Sequence, residues 1–465
     1  MANFFKVSTK KSANVQSNQT LTVNIERLDL NGSGVTYVNN KPVFINRALP
    51  NENVDIRIIE KKNKYSIATL LTINKVSRNR VPIKCQHFKL CGGCDLQHID
   101  YQQQLQFKKN KIIELFSRSG ITESMITALP WQAPIMSSPW NYRRKARIGV
   151  QFDKNSQATI GFRQKATNQL VAIKSCPVLV EPADKIFPLL KSLINQLSVK
   201  KSIGHIEIII SDSSTESSKK TTLIIRQLRA INAHDLSLWQ KYAEQNKWSI
   251  HFQENEGLEC KEKIAINSDD ILSFYLVNNI KIDFYHTDFI QVNQKVNVAM
   301  VEQALSWLMP KAEDNILDLF CGLGNFSLPL AQQANSVVGV EGVQSMVDKA
   351  RANAELNNLN NCSFFQADLN SEWLSHEESN KWVQRKFTKV LLDPARAGAE
   401  NAIAQVIKLN IPTILYVSCE PTTLARDSQI LLLQGYKIEK IGLIDMFSQT
   451  KHVETMVLFH KSIHQ

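Results

Sequence analysis

Short apolar runs separated by helix-like patterns fill the last third of the chain. Between the runs, apolar residues recur at intervals of three and four, which is the period of an amphipathic helix. Strands that alternate with helices favour a doubly wound α/β fold with a parallel sheet, whose ligand site lies at the carboxyl ends of the strands. Most of the runs end in a polar or reactive side chain, and they occupy 316–320, 336–341, 363–368, 389–393 and 413–419.

Residues 21–71 follow a different pattern, in which apolar and polar side chains alternate. The alternation is clear from Leu21 to Ile25, and a turn of the sequence Asn-Gly-Ser-Gly follows at 31–34. Five short strands in a segment of about 50 residues predict a small β-barrel. The preceding residues, 1–20, are polar and basic, and we expect a flexible arm there.

Residues 72–285 mix helical and strand-like patterns, which predicts an α+β central domain before the final domain at 286–465. Within this domain, the stretch from Tyr101 to Ser119 has the period of a helix. Its predicted apolar face carries Leu105, Ile112, Leu115 and Phe116, and the side chains expected in solvent are Lys108, Lys109 and Lys111.

A mixture of aromatic and cationic residues follows at 140–149, with the sequence Trp-Asn-Tyr-Arg-Arg-Lys-Ala-Arg-Ile-Gly. Such a mixture can hold phosphates and stack bases. An exposed strand with cationic edges is the competing interpretation.

The charge of the chain is unevenly distributed. The formal net charge is +12, and residues 1–84 contain 14 basic and 5 acidic side chains, so they carry most of the excess. A basic segment of this kind favours a polyanionic partner, most simply nucleic acid.

Neither the N-terminus nor any later run has the apolar length of a signal peptide or a membrane span. Eight cysteines in a long chain without a leader indicate the reducing cytoplasm, where clustered thiols bind metal more often than they form disulfides. We therefore expect a cytoplasmic protein that does not bind membranes.

Four of these cysteines are candidates for one metal centre. Cys85, Cys91 and Cys94 follow the pattern Cys-x5-Cys-Gly-Gly-Cys, and Cys176 precedes a proline. Four thiolates suit an iron–sulfur cubane or a tetrahedral zinc ion. A [4Fe–4S] cluster is the favoured interpretation, and zinc or reduced structural cysteines are the alternatives.

Residues 316–327 predict a strand, a glycine turn and the start of a helix. Gly322 and Gly324 allow a sharp bend and the close approach of a ligand, and the turn is expected to present free amides. A dinucleotide fingerprint would need a third glycine at Ser327. The remaining pattern, Asp-x-x-x-Gly-x-Gly, resembles the first motif of S-adenosylmethionine-dependent methyltransferases. An acid at the end of the next strand, Glu341, can accept both hydroxyls of a ribose.

Further motifs resemble the signature of RNA uracil-C5 methyltransferases. They are Asp393-Pro-Ala-Arg-x-Gly398, then Ile414-Leu-Tyr-x-Ser-Cys419, and the sequence Ile-Asp-Met-Phe-Ser-Gln-Thr-Lys-His-Val-Glu at 444–454. The barrel at 21–71 resembles the TRAM domain, an OB-like RNA-binding module. With the four cysteines, nearly the whole chain is similar to those members of the family that methylate a uridine in 23S ribosomal RNA.

The resemblance implies an enzyme that transfers a methyl group from S-adenosylmethionine to C5 of a uridine in 23S rRNA. Cys419 would add to C6 of the uracil ring, and Glu454 would remove the C5 proton afterwards. The uridine would have to be extruded from its stack. We expect a monomer without an obligate protein partner. The cofactor residues implied are Gln291, Phe320, Asn325, Glu341, Asp368 and Asp393, and the cluster ligands are Cys85, Cys91, Cys94 and Cys176.

Two positions depart from the family pattern. Glu420 stands where the family usually has asparagine, and a carboxylate accepts hydrogen bonds but cannot donate one unless it is protonated. Ser448 stands where proline is usual, and we expect this change to affect only the stiffness of a loop.

Three other functions compete with this interpretation. The same chemistry on tRNA or on another rRNA uridine is the nearest, although relatives acting on tRNA are thought to lack the barrel and the cysteine quartet. A non-catalytic RNA-binding redox sensor with an iron–sulfur cluster would not need Cys419 and Glu454. Methylation of a protein or a small molecule would not explain the basic barrel.

Overall fold

The computed structural model describes residues 20–213, 219–256, 259–267, 272–375 and 379–461, so the predicted arm lies almost entirely outside the described residues. The chain forms two compact units. The first unit consists of Met1–Ile83 and Asp95–Phe107, and the second consists of Lys84–Cys94 and Lys108–Gln465.

One sheet of six strands occupies the first unit. Its strands are β1 (Thr20–Asn24), β2 (Arg27–Leu28), β3 (Gly34–Val38), β4 (Lys41–Ile45), β5 (Asn53–Lys61) and β6 (Ser66–Lys75). They pair in the order β1-β5-β6-β4-β3-β2. Val54 and Ile56, at alternate positions of β5, face its apolar core. The sequence predicted five strands, because the two residues of β2 are too few to show an alternating pattern.

The predicted helix is present as α1 (Tyr101–Arg118). Its apolar residues are buried as expected, but the expectation for Lys108 is wrong, because that side chain is 0% exposed. Lys109 and Lys111 are half-buried. Lys108 follows Leu105 by three residues and precedes Ile112 by four, so the helical period itself places it on the apolar face.

A nine-stranded sheet forms the middle of the second unit. Its strands are β7 (Lys145–Phe152), β8 (Ala158–Arg163), β9 (Leu170–Ala172), β10 (Ile203–Asp212), β11 (Lys219–Gln227), β12 (Trp248–Glu256), β13 (Glu259–Ile266), β14 (Ser273–Val277) and β15 (Ile280–Phe284). The main path is β13-β12-β11-β10-β7-β8-β9, and β14 pairs with both β10 and β15. The helices of this region are α2 (Glu123–Thr127), α3 (Ile186–Gln196) and α4 (Ala233–Asn246).

A seven-stranded sheet ends the chain. Its strands are β16 (Asn315–Leu319), β17 (Ser336–Glu341), β18 (Cys362–Gln366), β19 (Lys389–Leu392), β20 (Thr413–Ser418), β21 (Lys437–Ile444) and β22 (Glu454–His460). Its helices are α5 (Gln294–Leu308), α6 (Ser327–Ala331), α7 (Gln344–Leu356), α8 (Asn380–Val383), α9 (Glu400–Lys408) and α10 (Pro421–Leu433).

The strand order of this sheet locates the site. The order is β18-β17-β16-β19-β20-β22-β21, and β16 to β20 run parallel, as the apolar runs predicted. β22 runs antiparallel to both of its neighbours. Because β16 lies between β17 and β19, the chain reverses its direction of winding there, and a crevice opens at the carboxyl ends of these strands. No helix of the described residues is long and apolar enough to cross a membrane.

Candidate active site

The loop after β16 bends sharply at three positions with positive φ. These are Phe320 at 65°, Gly322 at 55° and Gly324 at 90°. A Cβ on Gly324 would lie 2.9 Å from Cγ of Leu328, so this turn requires glycine. Phe320 holds a left-handed conformation that costs free energy for a side chain of its size, and such residues concentrate at ligand sites.

A buried carboxyl binds the end of this loop through a hydrogen bond. Asp318 is 0% exposed and accepts a hydrogen bond from the hydroxyl of Ser327. Burial, together with the charges of Asp393 and Glu341, raises the pKa of Asp318 to about 7, although the hydrogen bond from Ser327 opposes the rise. Ser327, which replaces the third glycine of a dinucleotide fingerprint, therefore has a structural task of its own.

The expectation of free amides in the turn is wrong for most of its residues. The amides of Phe320 and Cys321 donate to the carbonyl of Val340 at 2.9 and 3.2 Å, and the amide of Gly324 donates to that of Cys321 at 3.0 Å. These donors close the turn on itself and on β17, so they are not available to cradle a phosphate.

Glu341 and Asp368 end neighbouring strands on one side of the loop. The two carboxylate oxygens of Glu341 accept the amides of Gly322 and Val343, each at 3.2 Å. Each oxygen keeps a further lone pair for a ligand. Asp368 is exposed, and its carboxylate accepts the amide of Asn370 at 3.0 Å.

Asn325 lies on the other side of the loop in a network of amides. It exchanges two hydrogen bonds of 3.0 Å with Asn297 of α5, and its oxygen also accepts the hydroxyl of Tyr275 at 3.0 Å. Gln291 belongs to the segment before α5, and its carbonyl accepts Nε of Arg144 at 2.9 Å. The guanidinium of Arg144 lies 4.6 Å from the centre of the Tyr275 ring.

Arg144 fits neither interpretation of the aromatic and cationic stretch. Its side chain is 2% exposed, and burial lowers its pKa. It therefore forms neither an exposed cationic edge nor an open phosphate site. Arg147 is exposed and pairs with Glu207 at 2.6 Å, and Nζ of Lys145 donates to the carbonyls of His286 and Asp288.

Cys419 follows β20 immediately and precedes α10, so the chain turns sharply at the candidate nucleophile. Its side chain is half-buried. Burial, together with the carboxyls of Glu454 and Asp393, raises the pKa of the thiol to about 11, and Arg396 opposes the rise. A thiol with these neighbours is protonated at neutral pH until its surroundings change.

Glu454 is the first residue of β22, which pairs with β20, so the candidate base lies beside the candidate nucleophile. It is 6% exposed, and its Oε2 atom has no hydrogen-bond partner among the described residues. Burial raises the pKa of Glu454 to about 8, and the charges of Asp393 and Asp445 raise it while that of Lys108 lowers it.

Asp393 joins the two groups of residues. The residue is half-buried, but its carboxyl is enclosed, and this burial raises its pKa to about 7. The charge of Asp393 raises the pKa values of Asp318, Cys419 and Glu454. Asp393 therefore lies near the predicted catalytic pair and near the buried carboxyl of Asp318, which accepts the hydroxyl of Ser327.

Asp427, which the sequence interpretation missed, holds the segment after Asp393 in place. It is fully buried and accepts the amide of Ala399 at 2.8 Å and the hydroxyl of Tyr416 at 2.7 Å. Gly398 has φ 81°, and a Cβ there would lie 2.8 Å from Oδ2 of Asp427. The only signal for this contact in the sequence is the glycine itself.

The two departures from the family pattern both have structural roles. The carboxylate of Glu420 accepts the amide of Thr422 at 3.2 Å and caps α10, a task that asparagine also performs. The expectation that Ser448 affects only loop stiffness is wrong. Its hydroxyl donates to the carboxylate of Asp445 at 2.5 Å, and that carboxylate also pairs with Lys108 at 2.5 Å.

The four candidate metal ligands share one part of the second unit. Cys91, Cys94 and Cys176 belong to one buried core, and Cys85 packs against it. The amide of Gly93 donates to Sγ of Cys91 at 3.4 Å. Burial raises the pKa of Cys176 to about 11, with repulsion from the thiols of Cys85 and Cys91. No group of three or more His, Cys, Asp or Glu side chains in the described ranges is arranged to hold one metal ion.

Comparison with known proteins relates this architecture to a family. A family model of tRNA (Uracil-5-)-methyltransferase matches residues 100–462, and a TRAM domain model matches residues 14–71. A crystal structure of Pyrococcus abyssi tRNA (uracil-54, C5)-methyltransferase in complex with S-adenosyl-L-homocysteine aligns with a TM-score of 0.73 and 21% identity. It covers 94% of this chain and 100% of that one, and it supports the fold.

Curated relatives match the chain over its full length. The 23S rRNA (uracil(1939)-C(5))-methyltransferase RlmD of Colwellia psychrerythraea is 57% identical over 472 residues, which are 99% of each chain. The protein of the same name from Aliivibrio fischeri is 42% identical over 99% of this chain and 100% of its own length. The chain therefore belongs to the tRNA (Uracil-5-)-methyltransferase family, alongside the RlmD proteins, with a TRAM domain at its N-terminus.

Proposed function

We propose that this protein transfers a methyl group from S-adenosylmethionine to C5 of a uridine in 23S ribosomal RNA. Its full-length relatives are named for that reaction. The observation that carries the proposal is the meeting of Cys419, Glu454 and Asp393 at the carboxyl ends of β19 and β20. The thiol of Cys419 can act as a nucleophile, and the carboxyl of Glu454, whose pKa is raised, can act as a base. Together they can act on two adjacent atoms of one substrate.

The reaction needs both groups because C5 of uracil is a poor nucleophile. As a thiolate, Cys419 adds to C6, and the electron pair of the C5–C6 double bond moves into the ring as an enolate. S-adenosylmethionine, when bound, would supply the methyl group to C5, and the methyl–sulfur bond would break as S-adenosylhomocysteine leaves. Glu454 takes the C5 proton, the C6–S bond breaks, and the thiolate of Cys419 returns.

The cofactor residues fit a nucleoside with an amino-acid tail. Glu341 keeps two lone pairs for ribose hydroxyls, and the amide of Gly322 holds its carboxylate against the turn. Asn325 and Gln291 lie on the opposite side of the loop, where polar groups can hold the tail of the cofactor. Phe320, Asp368 and Asp393 complete the proposed set.

We propose 23S rRNA rather than tRNA as the substrate, because the curated relatives that cover the whole chain are named for uridine 1939 of 23S rRNA. The TRAM domain is proposed to bind RNA through its basic surface. Deletion of residues 1–71 should weaken RNA binding and reduce its salt dependence, since phosphate contacts release counterions. Unchanged affinity and salt slope would contradict this role.

We also propose that Cys85, Cys91, Cys94 and Cys176 hold a [4Fe–4S] cluster. A cubane spreads four thiolates over four iron atoms, so the sulfurs need not converge on one ion. Their common core and the amide that donates to Cys91 suit such a cluster. Anaerobically purified protein should contain iron and sulfide at about four each per chain. About one equivalent of zinc instead would overturn the proposal but keep the ligands.

The function is tested with labelled S-adenosylmethionine and either naked 23S rRNA or tRNA. We expect label in 5-methyluridine of 23S rRNA, at the uridine that corresponds to the relatives' position, and none with the Cys419→Ala variant. Label in tRNA alone would support the alternative substrate. Label in protein or in neither RNA would contradict the proposal.

A further inference from the structure

A buried network holds the loop between β21 and β22, and we call it the hairpin clamp. It consists of Lys108, Tyr142, Asp445 and Ser448. Nζ of Lys108 donates to Asp445 at 2.5 Å and to the carbonyl of Phe447 at 3.1 Å. The hydroxyl of Ser448 donates to Asp445 at 2.5 Å, and the hydroxyl of Tyr142 donates to the carbonyl of Ser448 at 2.8 Å.

The four clamp residues come from three separate parts of the second unit and are all enclosed. Lys108 lies on α1, Tyr142 precedes β7, and Asp445 and Ser448 belong to the loop itself. Their exposed fractions are 0% for Lys108, 6% for Tyr142, 1% for Asp445 and 0% for Ser448. Charged hydrogen bonds in such surroundings are strong and geometrically strict, so the clamp holds the loop in one position.

The clamp acts at the base of the loop that delivers Glu454. In the β21–β22 hairpin, Ile444 pairs with Glu454, and Asp445 follows Ile444 directly. The amide of Asp445 also donates to the carbonyl of Ile135 at 2.9 Å. Asp445 therefore lies one residue from the strand pair that contains Glu454.

The clamp also sets the charge around Glu454. The titratable groups that act on Glu454 or are acted on by it are Asp393, Asp445, Lys108 and Cys419. Three of them are acidic, and Lys108 is the cation that opposes them. An ion pair next to a base has a small net field only while both members are present.

We propose that the hairpin clamp positions Glu454 for removal of the C5 proton and that Lys108 keeps this carboxyl able to ionise by neutralising Asp445. The clamp residues are positioning residues, since they touch the loop and not the uracil. The inference rests on the proposed function, in which Glu454 is the base.

Two kinds of substitution separate position from charge. Lys108→Met removes the cation and leaves Asp445 uncompensated, whereas Lys108→Met combined with Asp445→Asn removes both charges. Ser448→Ala loosens the loop without a change of charge. Lys109→Met is the matched control, because Lys109 is the next residue of α1 and lies over the Trp131 ring at 4.7 Å, outside the clamp.

The experiment follows one turnover on naked 23S rRNA between pH 6 and 9. Methyl transfer is measured as label in total RNA, and release is measured as decay of the denaturant-resistant protein–RNA band. With Lys108→Met, we expect the midpoint of the release profile to move up by about one pH unit, which slows release roughly tenfold at pH 7. The double variant should return the midpoint of the release profile to the wild-type value. Ser448→Ala should lower the release rate without a shift of the midpoint. Lys109→Met should match the wild type in both.

The outcomes distinguish this inference from the function on which it rests. If the wild type methylates 23S rRNA but Lys108→Met keeps the wild-type midpoint and Ser448→Ala releases the product at the wild-type rate, the clamp is only structural. The clamp is also only structural if methyl transfer and release fall in equal proportion. If the wild type forms neither methylated RNA nor the covalent band, the proposed function itself fails. If Lys108→Met does not fold, an unchanged release rate in Ser448→Ala or a shifted midpoint in the double variant still overturns the inference.

Discussion

Asp445 and Glu454 lie at the two ends of the same hairpin loop, and both carboxyls are buried. The oxygens of Asp445 accept hydrogen bonds from Lys108 and Ser448, so its charge and its lone pairs have partners within the protein. Glu454 faces two further acids and has an oxygen without a partner among the described residues. The surroundings of the two carboxyls therefore differ although they are separated by only one loop.

The difference shows how one loop combines structure with chemistry. A buried carboxylate with a cation and a hydroxyl is satisfied and resists movement. A buried carboxyl without a cation of its own holds its proton to a higher pH, which prepares it to exchange that proton near neutrality. Breaking the contacts of Asp445 should therefore affect stability most, and removing the carboxyl of Glu454 should affect turnover most.

The largest expected effect is the loss of turnover in Glu454→Gln. Addition of Cys419 and methyl transfer can proceed, but removal of the C5 proton should slow by about 10²- to 10⁴-fold, which is the usual contribution of a positioned base. Methylated RNA should then remain bonded to the protein as a denaturant-resistant band. Normal turnover of this variant would remove the distinction between the two carboxyls.

The next effect is the loss of stability in Lys108→Met. Removing the cation leaves the carboxylate of Asp445 buried and unpaired, and breaking such a pair costs about 3–5 kcal/mol. Urea unfolding measures the free energy, with Lys109→Met as the control. A loss below about 1 kcal/mol, the range of a surface ion pair, would show that the pair is not buried in solution.

A smaller effect concerns the dependence of stability on pH. The pKa of Glu454 in the folded protein, about 8, lies above its ordinary value, so the folded state holds this proton more tightly than the unfolded state. The stability associated with it is complete below about pH 4.5 and is lost as the pH rises towards 8. Glu454→Gln should flatten this decline without abolishing it, because the pKa values of Asp318 and Asp393 are also raised, to about 7. Parallel curves for the two proteins would contradict the raised pKa.

The smallest effect is expected for Ser448→Ala, which removes one of the hydrogen bonds to Asp445. Leaving a buried acceptor with one partner fewer costs about 1–3 kcal/mol. Thermal unfolding at constant pH would measure the loss. If Ser448→Ala is as stable as the wild type, the hydroxyl is dispensable and the family's proline is a neutral alternative.

The pattern of apolar residues predicted the final sheet because parallel strands are buried on both faces and stand out as continuous runs. It also placed Glu341, Asp393 and Cys419 at strand ends, where the structure brings them to one edge. The β21–β22 hairpin was not predicted, although its residues carry Glu454. Its position depends on pairing with β20, which no local signal specifies.

One error concerns a residue whose partner is distant in the chain. Lys108 was assigned to solvent from its charge, although its place in the helical period indicates the apolar face. Its burial depends on Asp445, 337 residues away. The hydroxyl of Ser448 was overlooked although its partner Asp445 is only three residues away, since side-chain type alone does not reveal the contacts that permit burial.

Trapping with 5-fluorouridine tests the proposed covalent mechanism most directly. In 23S rRNA that carries 5-fluorouridine at the target position, fluorine cannot leave C5 as a cation, so the adduct cannot resolve after methyl transfer. We expect one covalent protein–RNA product whose peptide map places the bond on Cys419, in wild type and in Glu454→Gln alike. Attachment to any other residue, or an adduct formed by Cys419→Ala, would contradict the mechanism.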